Sequence, residues 1–216
     1  MWPSYGRSGH LVQALAFAAI LAIAPRAAAA QALRLVALGD SLTAGFGLSP
    51  GKAFPDRLEA ALRAKGFDVK VINAGVSGDT AADGLARYEW AIPHDANALI
   101  VELGANDMLR GQKPEATKAA LAAILDKARA AHLPTLLAGI RAAPNLGPEY
   151  DRAFDAIYPA LAKAYDVSLY PFFLDGVAGN PKLNQADGLH PSPEGVEVIV
   201  RRILPAVEGL LKKASP

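Results

Sequence analysis

The stretch Leu33-Arg34-Leu35-Val36-Ala37-Leu38-Gly39-Asp40-Ser41-Leu42-Thr43-Ala44-Gly45 decides how the rest of the chain is read. A short apolar run that ends in Gly-Asp-Ser has the pattern of a buried β-strand stopping at a tight turn, with Ser41 at its carboxyl end. That edge is where α/β sheets carry their chemistry. Ser, Gly and Asp are also the ordinary residues of a βα loop and of a helix N-cap, so Ser41 alone is equally a capping residue. The remainder of the chain must supply a base, an acid and an oxyanion site for Ser41 to be more than that.

Outward from this stretch, apolar runs alternate with helical segments. The candidate strands are Leu33 to Leu38, Val69 to Asn73, Ala98 to Leu103, Thr135 to Ile140 and Val167 to Tyr170. Between them lie Phe54 to Lys65, Ala81 to Trp90, Pro114 to Ala131 and Pro148 to Ala164, with a last helix from about Pro193 to Leu211. Pro114 and Pro193 fall where a first helical turn accepts proline, and Gly66 falls where a helix ends. Leu121, Ile124, Leu125 and Ala128 form one apolar stripe at spacings of three and four. Near-continuous apolar strands alternating with helices predict a mostly parallel five-stranded sheet covered on both faces by right-handed crossovers. The expected fold is therefore a three-layer α/β/α sandwich, and a flavodoxin-like strand order is the one assumed.

Composition narrows the function classes. With 216 residues, 52% of them hydrophobic, the chain is long enough for a sizeable core. Its 22 Lys and Arg against 21 Asp and Glu leave a net charge of +1, without the cationic stripe that nucleic acid or a polybasic membrane contact would need. Residues 1–30 differ in character from the rest of the chain: Arg7 and His10 precede the run Leu11 to Ile23, whose only polar residue is Gln13, and Ala27 to Ala30 offer small residues. These are the parts of a secretory signal peptide with cleavage after Ala30, leaving residues 31–216 as the mature domain. The run is too short to span a bilayer comfortably. Cleavage removes Arg7 and Arg26 and no acid, which moves the net charge from +1 to −1. Zero cysteines exclude a disulfide framework, a thiolate nucleophile, a Cys-type metal site and a lipoprotein anchor. The expected location is the periplasm or the outside of the cell, without a stable membrane anchor; the oligomeric state is open, with a monomer favoured.

If the strands are parallel, the segments after them share one edge of the sheet. The second strand leads into Asn73-Ala74-Gly75-Val76-Ser77-Gly78-Asp79-Thr80, whose glycines allow a tight turn with N–H groups facing outward, an anion site or a plain glycine turn. The third ends in Glu102-Leu103-Gly104-Ala105-Asn106-Asp107, and the Asn106 amide could donate to a developing oxyanion or cap a turn. Near the end comes Asp187-Gly188-Leu189-His190-Pro191-Ser192. Of the four histidines, His10 leaves with the signal peptide, and His94 and His132 read as exposed helix ends. His190 alone has an acid three residues earlier. On a turn that spacing can bring the Asp187 carboxylate onto Nδ1–H, leaving Nε2 free to take a proton. A solvated turn capping the next helix is the plain alternative, and a zinc site lacks the further His or Cys ligands it would need. No metal and no cofactor is expected.

Four blocks, GDSLTAGFG at 39–47, NAGVSGDT at 73–80, ELGANDMLRG at 102–111 and DGLHPSPEG at 187–195, occur in this order. Together they resemble the GDSL hydrolases of the SGNH type, and within these the bacterial periplasmic thioesterase and arylesterase group. The similarity runs from about Leu33 to the last helix. It implies Ser41 as nucleophile, His190 as general base and Asp187 as its orienting acid. It further implies an oxyanion hole from the backbone N–H groups of Ser41 and Gly78 with the side-chain amide of Asn106. Leu109, Arg110, Ile140, Ala142 and Ala143 lie in segments that shape the acyl pocket in such relatives. Asp40 is then left to brace the turn presenting Ser41.

The implied activity is hydrolysis of small aryl or acyl esters, and of thioesters, through an acyl-enzyme, with lysophospholipase activity compatible with the same site. A carbohydrate O-deacetylase uses the same four blocks and is the alternative within enzymes; a non-catalytic binding module of the envelope is the alternative outside them. The α/β-hydrolase elbow G-x-S-x-G does not fit, because Thr43 stands at its last glycine and Asp187 and His190 are close in sequence.

Overall fold

The computed structural model describes residues 1–3 and 32–214. The apolar run Leu11 to Ile23 and the cleavage site at Ala30 that a signal peptide requires lie outside the described residues. The fold is that of the unit spanning Gln31–Pro216.

Five strands, β1 (Leu33–Gly39), β2 (Val69–Gly75), β3 (Ala98–Glu102), β4 (Thr135–Ala138) and β5 (Ser168–Tyr170), form one sheet in the order β2-β1-β3-β4-β5. Every adjacent pair is parallel, and the order is the flavodoxin-like one. β1 and β3 are central; their residues from Leu35 to Leu38 and from Ala98 to Val101 are almost wholly excluded from solvent, as continuous apolar runs covered on two faces should be. The edge strand β2 instead alternates, with Val69 and Val71 buried and Lys70 exposed.

The covering helices follow from the crossovers. α1 (Ser41–Ala44) is a single turn after β1, and α2 (Phe54–Ala64) leads to β2 and packs against the last helix, α9 (Pro193–Ala214). On the other face, α3 (Ala81–Ala86) and α4 (Tyr88–Ala91) precede β3, and α5 (Ala105–Leu109) and α6 (Pro114–Ala130) precede β4. α7 (Pro148–Asp155) and α8 (Ile157–Tyr165) complete that layer, α6 touching both α3 and α8. The stripe Leu121, Ile124, Leu125 and Ala128 of α6 is buried. The architecture is thus an α/β fold with three layers, and the two peripheral histidines, His94 and His132, are exposed.

Three departures from the sequence pattern have local causes. The segment 81–90 is two short helices because the backbone turns at Arg87, at φ −99° and ψ 5°. The segment 148–164 likewise breaks at Ala156. β4 stops at Ala138 because its partner β5 ends opposite it at Tyr170; Gly139 N still donates to Tyr170 O at 2.8 Å, and Gly139 O accepts from Phe173 N at 2.8 Å. Ile140 thus follows β4 at the carboxyl edge of the sheet.

Candidate active site

The register brings the ends of the three adjacent strands β2, β1 and β3 level, Gly39 lying opposite Gly75 on one side and Glu102 on the other. The loops after them therefore start from one line. Gly39 has to be glycine here, since a Cβ would stand 2.1 Å from Thr43 Oγ1 and 2.7 Å from Glu102 Oε2. Asp40 caps α1 by accepting Leu42 N–H on Oδ1 at 3.0 Å, and Ser41, the first helical residue, is left half-buried at the top of the turn.

Across from it, His190 Nε2 lies 2.9 Å from Ser41 Oγ, and His190 Nδ1 lies 2.6 Å from Asp187 Oδ2. The other carboxylate oxygen of Asp187 accepts the N–H groups of Leu189 at 2.9 Å and His190 at 3.0 Å. These donors, with the backbone N–H of His190 foremost and the imidazole next, pull the Asp187 carboxyl down to about 2. An acid so firmly ionised can only accept, so Nδ1 carries the proton and the Nε2 lone pair faces the Ser41 hydroxyl. The imidazole is held from behind as well. The Phe46 ring stands 4.6 Å from it, centroid to centroid, and Gln185 donates from Nε2 to Phe46 O at 2.7 Å and from its backbone N–H to His190 O at 2.7 Å.

Two further loops carry Gly78 and Asn106, the other candidate donors. Gly78 takes φ +91°, a conformation that side chains resist, and its carbonyl accepts from Arg110 Nη2 at 2.7 Å. Asn106, in the first turn of α5, donates from Nδ2 to Asp79 O at 3.0 Å and to Asp40 Oδ2 at 3.2 Å. α5 is itself fixed at its root: Tyr158 of α8 donates its buried hydroxyl to Leu103 O at 2.9 Å, and Asp107 accepts Ala81 N–H at 2.9 Å and the Thr117 hydroxyl at 3.0 Å. Asp40 therefore lies under the site and not in line with His190.

Below the turn sits a second polar layer that the sequence pattern did not single out. Arg87 is 6% exposed and donates from Nε to Asp79 Oδ2 at 2.5 Å and from Nη2 to Gly39 O at 2.9 Å. Thr43 donates to Glu102 Oε2 at 2.7 Å, with both residues fully buried. Burial pushes the Asp40 carboxyl up to about 6, and burial together with the Asp40 charge holds the Glu102 carboxyl well above the usual range. The Thr43 hydroxyl and the backbone N–H groups of Asp40 and Thr43 face the Glu102 carboxyl, but burial and the neighbouring Asp40 charge outweigh them and favour its protonated form.

Beside Ser41, Asn106 and His190 opens a cavity of about 320 Å³ with mainly apolar walls. Leu109, Ile140, Ala142 and Ala143 line it, as do Leu42, Met108, Phe172, Leu174 and Leu189, which sequence reasoning missed. Arg110 is outside the lining, because its guanidinium turns away to the Gly78 carbonyl. Among the described residues no group of three His, Cys, Asp or Glu side chains is placed to hold a metal ion.

An arrangement of this kind can move a proton from Ser41 to His190 while an acyl group rests in the apolar cavity. Known proteins resemble the chain throughout this region. A family model described as GDSL-like lipase/acylhydrolase matches residues 37–198. Esterase TesA of Pseudomonas aeruginosa is 39% identical over 201 residues, covering 93% of this chain and 100% of the relative. Thioesterase 1/protease 1/lysophospholipase L1 of Escherichia coli strain K12 is 43% identical over 179 residues, covering 82% of this chain and 84% of the relative. The crystal structure of AlinE4, an SGNH-hydrolase family esterase, superposes with a TM-score of 0.71 at 47% identity, covering 83% of this chain and 97% of that one. By the extent of these matches and by its fold, the chain belongs to the GDSL-like lipase/acylhydrolase family.

Proposed function

We propose that the protein is a serine esterase that hydrolyses carboxylic esters and thioesters of small aryl and acyl groups through an acyl-enzyme at Ser41. The observation that carries this reading is the continuous row of 2.9 Å from Ser41 Oγ to His190 Nε2 and 2.6 Å from His190 Nδ1 to Asp187 Oδ2. Ser41 Oγ attacks the acyl carbon as His190 takes its proton, and Asp187 stabilises the imidazolium that forms. The tetrahedral oxyanion is met by the N–H groups of Ser41 and Gly78 and by Asn106 Nδ2, which exchanges one of its two protein acceptors for it. His190 then protonates the leaving alcohol or thiol, and a water activated by the same imidazole cleaves the acyl-enzyme.

The substrate class follows from the cavity. At about 320 Å³ it is at the small end of the usual range of about 300–1,000 Å³ for small-molecule sites. Leucine, isoleucine and phenylalanine walls favour an aryl or acyl group over an acetylated sugar, which would ask for many more hydrogen-bonding side chains. Leu109 and Leu189 are each 52% exposed at its rim, an apolar surface suited to a longer acyl tail or a lysophospholipid. The thioester reading draws on the Escherichia coli relative, whose name joins thioesterase and lysophospholipase. The test is a kinetic series of p-nitrophenyl esters from acetate to palmitate beside acyl-CoA, phenyl acetate and an acetylated xylan. Highest kcat/KM on the sugar ester would replace this reading with the deacetylase.

Export to the periplasm belongs to the same proposal. Arg7, the run Leu11 to Ile23 and Ala27 to Ala30 support a cleaved signal peptide. No helix among the described residues is long and apolar enough to cross a membrane. Mass spectrometry of the exported protein should find a mature chain beginning at Gln31.

A further inference from the structure

Arg87 breaks the helical pattern of its segment and buries its charge, two features that need a cause. A guanidinium that is only 6% exposed requires acceptors for its N–H groups, and a buried ion pair is seldom worth more to stability than apolar packing of the same volume. What distinguishes this one is where its acceptors sit. Nη2 holds the carbonyl of Gly39, the residue before Asp40-Ser41, and Nε holds the carboxylate of Asp79, the residue after Gly78. Asp79 in turn accepts Asn106 Nδ2 on its carbonyl oxygen. One side chain thus touches the β1 turn directly, the Gly78 loop directly, and Asn106 through the residue it grips.

A second contact shows that this junction is built rather than incidental. Gly39 O also accepts Val76 N–H at 3.0 Å, so the end of β1 is tied to both ends of the loop that contains Gly78. The turn at Arg87 between α3 and α4 is what lets the side chain reach back under that loop, while Arg87 N–H still closes α3 on Asp83 O at 3.2 Å.

We propose that Arg87 is a positioning residue for the hydrolytic reaction: by bridging Gly39 and Asp79 it fixes the spacing of the three donors offered by Ser41, Gly78 and Asn106. This rests on the reading that those donors receive the oxyanion. Their alignment matters most when charge develops on the acyl oxygen, so the effect of Arg87 falls on kcat and leaves substrate binding in the apolar cavity nearly untouched. Misplacing a donor by about 1 Å is enough to cost on the order of 100-fold. Lysine keeps the charge but has no rigid fork with which to reach a carbonyl and a carboxylate together.

The test compares wild type with Arg87→Lys and Arg87→Met. It measures kcat and KM for p-nitrophenyl butyrate, with kcat counted per serine labelled by a fluorophosphonate so that a smaller folded fraction does not register. Alongside, the inhibition constant of an alkyl trifluoromethyl ketone of matching length reports the affinity for a bound oxyanion. The Lys variant is expected to lose about 10- to 100-fold in kcat with KM within about threefold of wild type. The inhibition constant should rise by the factor by which kcat/KM falls. Wild-type kcat per labelled serine, a loss confined to KM, or the absence of folded protein from both variants would overturn the proposal and leave Arg87 as a structural ion pair. Ser41→Ala and Asn106→Ala, run in parallel, separate the two failures. Full activity in those variants removes the oxyanion reading itself, whereas their inactivity beside an unaffected Lys variant removes only the role of Arg87.

Discussion

The row Ser41, His190 and Asp187 and the cluster of Asp40, Arg87, Asp79, Thr43 and Glu102 beneath it are separated by one turn of backbone, yet they solve opposite physical problems. In the row, the Asp187 side chain is 37% exposed and its carboxyl is pulled down to about 2 by three hydrogen bonds from Leu189 and His190. In the cluster, Asp40 is fully buried and its carboxyl is pushed up to about 6 by desolvation that two N–H donors do not offset. The same side chain is thus fixed as an anion in one layer and left able to change charge near neutrality in the other. The upper layer is open to substrate and is chemically committed. The lower layer is closed to water and holds the backbone from which the upper layer projects.

The largest effects should come from the upper layer. Asp187→Asn removes the acceptor that fixes the His190 tautomer and should lower kcat by about 10⁴-fold, as loss of the acid does in serine triads generally. A loss below tenfold would mean that Asp187 only shapes its turn. Asn106→Ala should cost about 100- to 1,000-fold in kcat, or about 2.7–4 kcal/mol of transition-state stabilisation, with little change in KM. An effect seen only in KM would place Asn106 in substrate binding instead.

Within the lower layer Asp40 should show itself more in stability than in rate, and its pH dependence has the opposite sign. The folded pKa of Asp187 is below the ordinary value of about 3.9, so its stabilisation is present above that pH and fades as pH falls toward about 2. The folded pKa of Asp40 is above it, so folding favours the protonated form. That contribution is complete below about pH 3.9 and is lost as pH rises through about 6. Asp40→Asn removes this titration. The stability of wild type relative to the Asn variant should therefore fall between about pH 4 and 6, by roughly 3 kcal/mol for a shift of this size, as read by urea unfolding across the range. The same variant turns an amide toward Asn106 Nδ2 in place of an acceptor, so a drop of about tenfold in kcat should accompany it, smaller than the roughly 100- to 1,000-fold expected for removing an oriented donor outright. A stability difference independent of pH would show that Asp40 carries no buried charge.

How much of this the sequence disclosed divides along the same line. The sheet was legible because β1 and β3 are apolar without interruption, and the upper row because four blocks together resemble a known family, the three-residue spacing of Asp187 and His190 alone leaving a plain capping turn open. Arg87 was not legible, since a charged residue in an amphipathic window reads as the solvent face, and nothing local to 81–90 says that Gly39 and Asp79 wait beneath it. Phe172 and Leu174 escaped for another reason: they lie in the segment between β5 and α9, where no periodicity marks which side chains turn inward. Arg110 sits in the block that suggested a pocket residue, but its direction depends on the Gly78 carbonyl, a contact across 32 positions of sequence. Short-range pattern carried the reactive groups, and tertiary pairing carried the groups that aim them.

Acylation of Ser41 is the step on which every role assigned to its neighbours depends. The most direct test is to react the protein with a fluorophosphonate, locate the adduct by peptide mass spectrometry, and measure p-nitrophenyl butyrate turnover by Ser41→Ala. One adduct on Ser41 in wild type, none in the variant, and loss of turnover to the background rate are the predicted results. Turnover by the Ser41→Ala protein at the wild-type rate, or an adduct at another serine that abolishes activity, would contradict the assignment.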